Sequence, residues 1–183
     1  MSKVSIFFGT GFEEIEALTV VDILRRAGIE TDMVSITDQR SVTSSHNVTV
    51  ATDKLIEEVD FDQLDMIVLP GGMPGTKNLE ACDTLMKQVD TFFENGKWIA
   101  AICAAPTIFG HRGILKGKKG CCFPGMQDEL DGAEVSYEKV VVDGKVITSR
   151  GMGTALEFAL KLLEVLTDES TAIEMAKKVV YKD

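Results

Sequence analysis

Short, almost wholly apolar runs recur along this chain with amphipathic stretches between them, and that alternation constrains the fold more than any other feature. Val4–Phe8, Met66–Leu69 and Trp98–Ile102 contain no charged residue. A strand with one wet face alternates apolar and polar residues, whereas a strand buried on both faces reads as a continuous apolar run. Each run stops at a turn signal: Gly9-Thr10-Gly11, Pro70-Gly71-Gly72, or Cys103-Ala104-Ala105-Pro106. Between the runs the pattern predicts a helix over Glu13–Ala27 closed by Gly28, a helix over Leu79–Asn95 closed by Gly96, and a short helix after Cys103 that fades by Gly110. Ile29–Ile36 predicts a further strand, and Val42–Thr52 a hairpin or edge pair. Val140–Val142 and Val146–Thr148 flank Asp143-Gly144, a two-residue hairpin signal. Thr154–Leu166 and Ser170–Val180 predict two closing helices. Strands alternating with helices give an α/β fold with a parallel sheet covered on both faces. In such sheets the active crevice lies at the carboxyl ends of the strands.

The 183 residues show no repeat and no linker, so one domain spanning 1–183 is expected. A net charge of −10 repels phosphate backbones and argues against nucleic acid as a partner. The basic cluster of Arg112, Lys116, Lys118 and Lys119 surrounds Gly113, Gly117 and Gly120 and reads as a solvated turn. Four cysteines, none in a C-x-x-C pair, and two histidines give little support to a metal site. No run approaches the roughly 18 apolar residues of a membrane span. The N-terminal stretch lacks the long apolar segment of a signal peptide. A cytoplasmic protein with free thiols is therefore expected. The nucleotide-binding patterns G-x-G-x-x-G and G-x-x-x-x-G-K-[ST] are missing, so a dinucleotide or phosphate-loop site is not indicated.

Three strand ends carry residues that can do chemistry. Cys103 follows an apolar strand and precedes two alanines and a proline. Proline suits the first helical turn, so a helix is expected to start immediately after the cysteine. Small residues at 104 and 105 allow the tight strand-to-helix turn of a nucleophile elbow. A helix N-terminus favours negative charge, which predicts a thiol pKa below the free value of about 8.5. Most free cysteines are core residues, and this spacing alone leaves Cys103 balanced between that role and a reacting one. Glu13 and Glu14 are expected in the first turn of the first helix. Glu16 shares a helical face with Val20, Ile23 and Ala27, a stripe that should pack on the sheet. Burial raises a carboxyl pKa and favours its protonated form, which can donate to a thiolate or move a proton. A capping or surface glutamate fits the same pattern. In Pro70-Gly71-Gly72, glycines let backbone amides approach a ligand, and the Gly72 and Ala104 amides could form an oxyanion hole. A plain turn is the alternative.

The segments GFEEIEALTVVDILRRAGI, LPGGMPGTKNL, AAICAAPTI and ITSRGMGTALEFAL resemble the ThiJ/PfpI superfamily, in particular the branch of the parkinsonism-associated protein deglycase and its bacterial relatives. The resemblance covers nearly the whole chain. It implies a flavodoxin-like three-layer sandwich related to class I glutamine amidotransferase domains, and a homodimer joined through the first helix and the Val42–Thr52 segment. It places the family's reactive cysteine on Cys103, its partner glutamate on Glu16, and its oxyanion-hole amides on Gly72 and Ala104. Gly71, Cys122, Phe123, Arg150 and His46 fall at positions of the family's pocket region. Two of these depart from the family. Phe123 stands where the branch often has a histidine, and His46 where some members have an arginine of an anion site. The protease-like branch carries a histidine directly after the cysteine; Ala104 there speaks against a peptidase.

The resemblance implies a cofactor-free stress protein acting on reactive carbonyls such as glyoxal, methylglyoxal or glycated side chains, by glyoxalase or deglycase chemistry. A non-catalytic redox sensor or chaperone, in which Cys103 oxidises to a sulfinate, uses the same residues. With Phe123 unable to carry a proton, activation of the thiol falls to the helix start, the backbone amides and Glu16. His111 is expected at the exposed end of the elbow helix.

Overall fold

The computed structural model describes residues 2–181; the ends of the expected 1–183 domain, Met1 and Lys182–Asp183, lie outside them. The elements run β1 (Lys3–Phe8), α1 (Glu14–Arg26), β2 (Glu30–Ser35), β3 (Ser41–Thr43), β4 (Thr49–Ala51), β5 (Lys54–Leu55), β6 (Met66–Leu69), α2 (Gly75–Glu80), α3 (Asp83–Glu94), β7 (Trp98–Ile102), α4 (Pro106–His111), β8 (Lys119–Gly120), β9 (Glu134–Val135), β10 (Val140–Asp143), β11 (Val146–Ser149), α5 (Ala155–Leu166) and α6 (Glu169–Lys178). Seven strands form the main sheet in the order β10-β11-β7-β6-β1-β2-β5. Every pairing in it is parallel except that of β10 with β11, the hairpin around Asp143-Gly144.

The continuous apolar runs are the central strands, and they bury both faces. In β7, Ala100 and Ile102 join the core under α1, α5 and α6, while Ile99 and Ala101 join the core under α2, α3 and α4. β1 divides in the same way, with Ile6 and Phe8 on one side and Phe7 on the other. The result is an α/β three-layer sandwich of the flavodoxin-like kind, as the sequence indicates. β3 and β4 pair as a separate antiparallel hairpin that takes in most of the expected Val42–Thr52 segment and begins one residue earlier, at Ser41.

Three local expectations need correction. Leu79–Asn95 is not one helix. α2 begins earlier, at Gly75, and ends at Glu80, and α3 starts afresh at Asp83 with Cys82 as its N-cap. Both helices pack apolar faces on the same core, so the apolar pattern runs across the break and hides it. Glu13 lies outside the first turn of α1 and caps it instead. The elbow helix starts at Pro106, three residues beyond Cys103, because a tight turn intervenes.

Candidate active site

The site is assembled where β1, β6 and β7 end side by side. Cys103 leaves β7 with φ +67°, in the left-handed region that non-glycine residues rarely occupy. The surroundings hold it there. Its amide donates to the Ser149 carbonyl at 3.0 Å, its carbonyl accepts from the Phe123 amide at 2.7 Å, and the Ala105 amide turns back to Ile102 at 3.1 Å. This conformation swings the sulfur off the strand and into the crevice, and the small Ala104 and Ala105 leave room for it. Strain of this kind persists only where neighbours over-determine it, and it concentrates at functional sites.

Glu16 reaches the sulfur from the first turn of α1. Its side chain is 1% exposed. The Gly71 amide donates to its Oε2 at 2.9 Å, while Oε1 is buried without a conventional hydrogen-bond partner. Glu13 fixes the turn, its Oε2 accepting from the Glu16 amide at 2.8 Å. Gly71 separates the two reactive groups, and no side chain fits there. A β-carbon would lie 2.6 Å from the Cys103 β-carbon and 2.8 Å from the Glu16 carboxyl. Gly72, at φ +90°, presses on the backbone of Phe12 and Glu13, where a β-carbon would meet the Glu13 nitrogen at 2.4 Å.

Electrostatics bind the pair together. Burial pushes the Glu16 carboxyl up to about 7, opposed by its interactions with the Cys103 thiol and the Gly71 amide. Burial likewise pushes the Cys103 thiol up, and the Glu16 carboxylate adds to the effect. The amides of Ala104 and Gly72 hydrogen-bond to the sulfur and pull the other way. The lowered thiol pKa expected from a helix start is thus corrected. The sequence reveals a helix start but not the depth of the sulfur or a carboxylate against it. The Glu16 carboxylate raises the thiol, while the thiol, by donating to that carboxylate, lowers the carboxyl; the two thus sit on one proton, and the pair holds one negative charge more readily than two.

A cavity of about 380 Å³ opens on the sulfur, walled by Gly72 and Met73 on one side and by Phe123–Met126 on the other. Of the residues the sequence singles out, the structure brings Cys103, Glu16, Gly71, Gly72, Ala104 and Phe123 together. Cys122 does not line this cavity; it is buried in the core beneath, and burial takes its thiol up to about 11. Arg150 is not on the cavity wall either; it donates to the Tyr137 carbonyl at 3.4 Å. His46 sits on the β3–β4 hairpin, with its Nδ1 3.1 Å from Glu14. Sequence reasoning passes over Met73, Pro124, Gly125 and Met126. Pro124-Gly125 is a turn signal that marks a loop, but nothing in it says that the loop covers the cysteine. Among the described residues, Glu13, Glu14 and His46 have donor atoms within 4.8 Å of one another, a metal-compatible spacing. The α1 cap and the His46–Glu14 pair account for that grouping through protein contacts alone.

The DJ-1/PfpI family profile matches residues 2–165 of the chain. The chain is 37% identical over 182 residues to Protein DJ-1 homolog B of Arabidopsis thaliana, covering 98% of this chain and 42% of that relative. It therefore spans less than half the length of that protein. It is 33% identical over 156 residues to the glutathione-independent glyoxalase DJR-1.2 of Caenorhabditis elegans, covering 84% of this chain and 82% of the other. Among solved structures, oxidized Toxoplasma gondii DJ-1 matches with a TM-score of 0.96 and 38% identity, covering 100% of both chains.

Proposed function

The chain belongs to the DJ-1/PfpI family, and on that premise we propose that it is a cofactor-free enzyme that hydrates reactive α-oxoaldehydes through Cys103, with Glu16 as proton carrier. The observation that carries this reading is the pairing of a buried carboxyl, raised to about 7, with a buried thiol that faces two backbone amides. A carboxyl poised near neutrality can both take and give a proton. The C. elegans relative named as a glyoxalase supports the substrate class.

The steps balance with water as the only co-reactant. Sulfur attacks the aldehyde carbon of methylglyoxal, the thiol proton passes to Glu16, and protonation of the aldehyde oxygen gives a hemithioacetal. The Gly72 and Ala104 amides, aimed at the sulfur, lie beside the carbon bonded to it and suit an oxyanion forming there. Glu16 then removes the proton from that carbon and returns it to the neighbouring carbon while the hemithioacetal hydroxyl proton passes to the ketone oxygen, which turns the former ketone into an alcohol and leaves a thioester. Water hydrolyses the thioester, releasing lactate and the free thiol. A glycated side chain would enter once its hemithioacetal or carbinolamine carbon releases the side-chain thiol or amine, with its hydroxyl proton passing to that leaving group, and so frees the aldehyde for the same attack. Met73, Phe123 and Met126 give the cavity apolar walls suited to a small carbonyl. Conversion of methylglyoxal to lactate by the purified protein, beside a Cys103→Ser control, tests the reading. Equal turnover in the two would overturn it.

A second reading has one observation in its favour: the Toxoplasma structure is of an oxidized DJ-1. Two successive oxygen transfers from a hydroperoxide would convert Cys103 to a sulfinate, releasing two reduced hydroperoxide molecules. The same amides and a protonated Glu16 would hold the product. A homodimer through α1 and the β3–β4 hairpin accompanies either reading. Ile15 on α1 is 48% exposed and Val48 on the hairpin 43%, an apolar pair that a second copy would cover.

A further inference from the structure

The elbow helix touches more than the thiol. α4 ends on Gly110 and His111. Gly110 lies against the backbone of Glu129–Asp131, where a β-carbon would come within 2.2 Å of the Glu129 carbonyl oxygen and 2.8 Å of the Leu130 α-carbon. Only a residue without a side chain permits that approach. One residue further on, His111 Nδ1 lies 2.7 Å from Glu80 and Nε2 lies 3.6 Å from Glu129. Glu80 is the last residue of α2, the helix that continues from the Gly71–Pro74 loop. Glu129 closes the single turn Gln127–Glu129, which continues from the Phe123–Met126 loop. One short stretch of α4 therefore contacts the segments behind both walls of the cavity.

We propose that the Gly110–His111 end of α4 positions the Phe123–Met126 loop over Cys103 and so sets the size of molecule that the thiol admits. The inference rests on reading Cys103 as the reacting atom, not on which carbonyl it takes. His111 lines neither the cavity nor the sulfur's surroundings, so its role is positioning. Glu80 from α2 and Glu129 from the turn face the imidazole, and Asp90 and Glu94 from α3 line the same surface cleft. The neighbouring Arg112 is engaged by Asp90. A cationic imidazole is drawn to both Glu80 and Glu129. A neutral one keeps the hydrogen bond to Glu80, but at 3.6 Å it has none to Glu129, which frees the loop side.

Alkylation of Cys103 by iodoacetamide and by the bulkier N-phenylmaleimide, read by peptide mapping, tests this without reference to turnover. The ionisation of the thiol affects both reagents alike and cancels in their rate ratio. His111→Ala should raise the maleimide-to-iodoacetamide ratio about two- to fivefold, the range that an exposed ion pair can supply. His111→Gln, which still offers Glu80 a donor, should recover part of the difference. Gly110→Ala should shift the ratio further if it folds, and the His111 variants stand without it. A ratio unchanged in His111→Ala would overturn the proposal, including a result in which the melting temperature falls and the ratio does not move. A shifted ratio in a protein that leaves methylglyoxal untouched would uphold the positioning role and remove the carbonyl reading alone.

Discussion

Cys103 stands at the end of β7, and the neighbouring Cys121 and Cys122 follow β8, where the Cys121 amide donates to Thr148 of β11 at 3.0 Å. Burial raises the pKa of all three thiols. Burial by itself therefore does not single out a reactive sulfur. Three things differ at Cys103. Its backbone is held at φ +67°, two amides point at its sulfur, and a carboxyl that keeps its proton to about pH 7 lies against it. Cys121 has the Thr148 hydroxyl and a single amide, that of Val141, and Cys122 reaches only the Phe123 carbonyl, an acceptor that cannot stabilise a thiolate. The contrast teaches that a desolvated thiol becomes useful when its surroundings offer a place for both its charge and its proton.

The sharpest way to break this contrast is to remove each sulfur in turn. Cys103→Ser should lower methylglyoxal turnover by at least about 10³-fold, the scale of losing a nucleophile. Cys122→Ser should leave turnover within about threefold, because its side chain lies outside the cavity. Comparable losses in both, measured as lactate formed by proteins of matched circular dichroism, would erase the distinction.

Next comes the proton carrier. Glu16→Gln keeps the shape and can still donate a hydrogen bond, but it cannot shuttle a proton, so turnover should fall about 10²-fold. The same substitution carries a stability signature. The carboxyl pKa is 4.5 when the side chain is free in water and about 7 in the fold, so the folded state binds the proton more tightly. That contribution is fully present below pH 4.5 and is lost as pH rises through about 7. It amounts to about 3 kcal/mol, or roughly 6–12 °C of melting temperature for a chain of this size. Wild type should lose this much between about pH 4.5 and 7.5, and Glu16→Gln should lose much less. Parallel melting curves for the two would show that Glu16 ionises normally in the fold.

The sequence makes the sheet legible because burial on both faces leaves a mark in every central strand: Ile99 and Ile102 serve opposite cores and are both apolar. It makes Cys103 and Glu16 legible because strand ends and helix starts are local signals. The walls are another matter. Met73 and Met126 look like any surface methionine until the fold lays their loops beside the sulfur. Gly110, inside a helical pattern, gives no local sign that a distant backbone segment rests on it. The thiol pKa departs from its expected direction for the same reason. A helix start is written in Ala-Ala-Pro, whereas the opposing carboxylate arrives from 87 residues away in sequence, the separation of Glu16 and Cys103. The break between α2 and α3 is hidden because both helices feed one core through Leu79, Leu85 and Val89.

The smallest expected effect follows from the shared proton. An isolated thiol labels faster as pH rises, about tenfold per unit until its pKa near 8.5, because only the thiolate reacts. At Cys103 the pair should give up one proton near the Glu16 value of about 7. Above that pH it carries one negative charge, divided between a thiolate beside a carboxylic acid and a thiol beside a carboxylate. The division between these two forms contains no free proton and so does not depend on pH. Iodoacetamide labelling of Cys103 should therefore climb up to about pH 7 and then change by less than about threefold to pH 8.5. Cys103 should also label ahead of the fully buried Cys121 and Cys122 at neutral pH. In Glu16→Gln the sharing is gone, and the rate should keep rising with pH as an isolated thiol does. A wild-type rate that climbs tenfold per unit through pH 8 would mean that the two groups titrate independently, and the contrast with Cys122 would then rest on the amides alone.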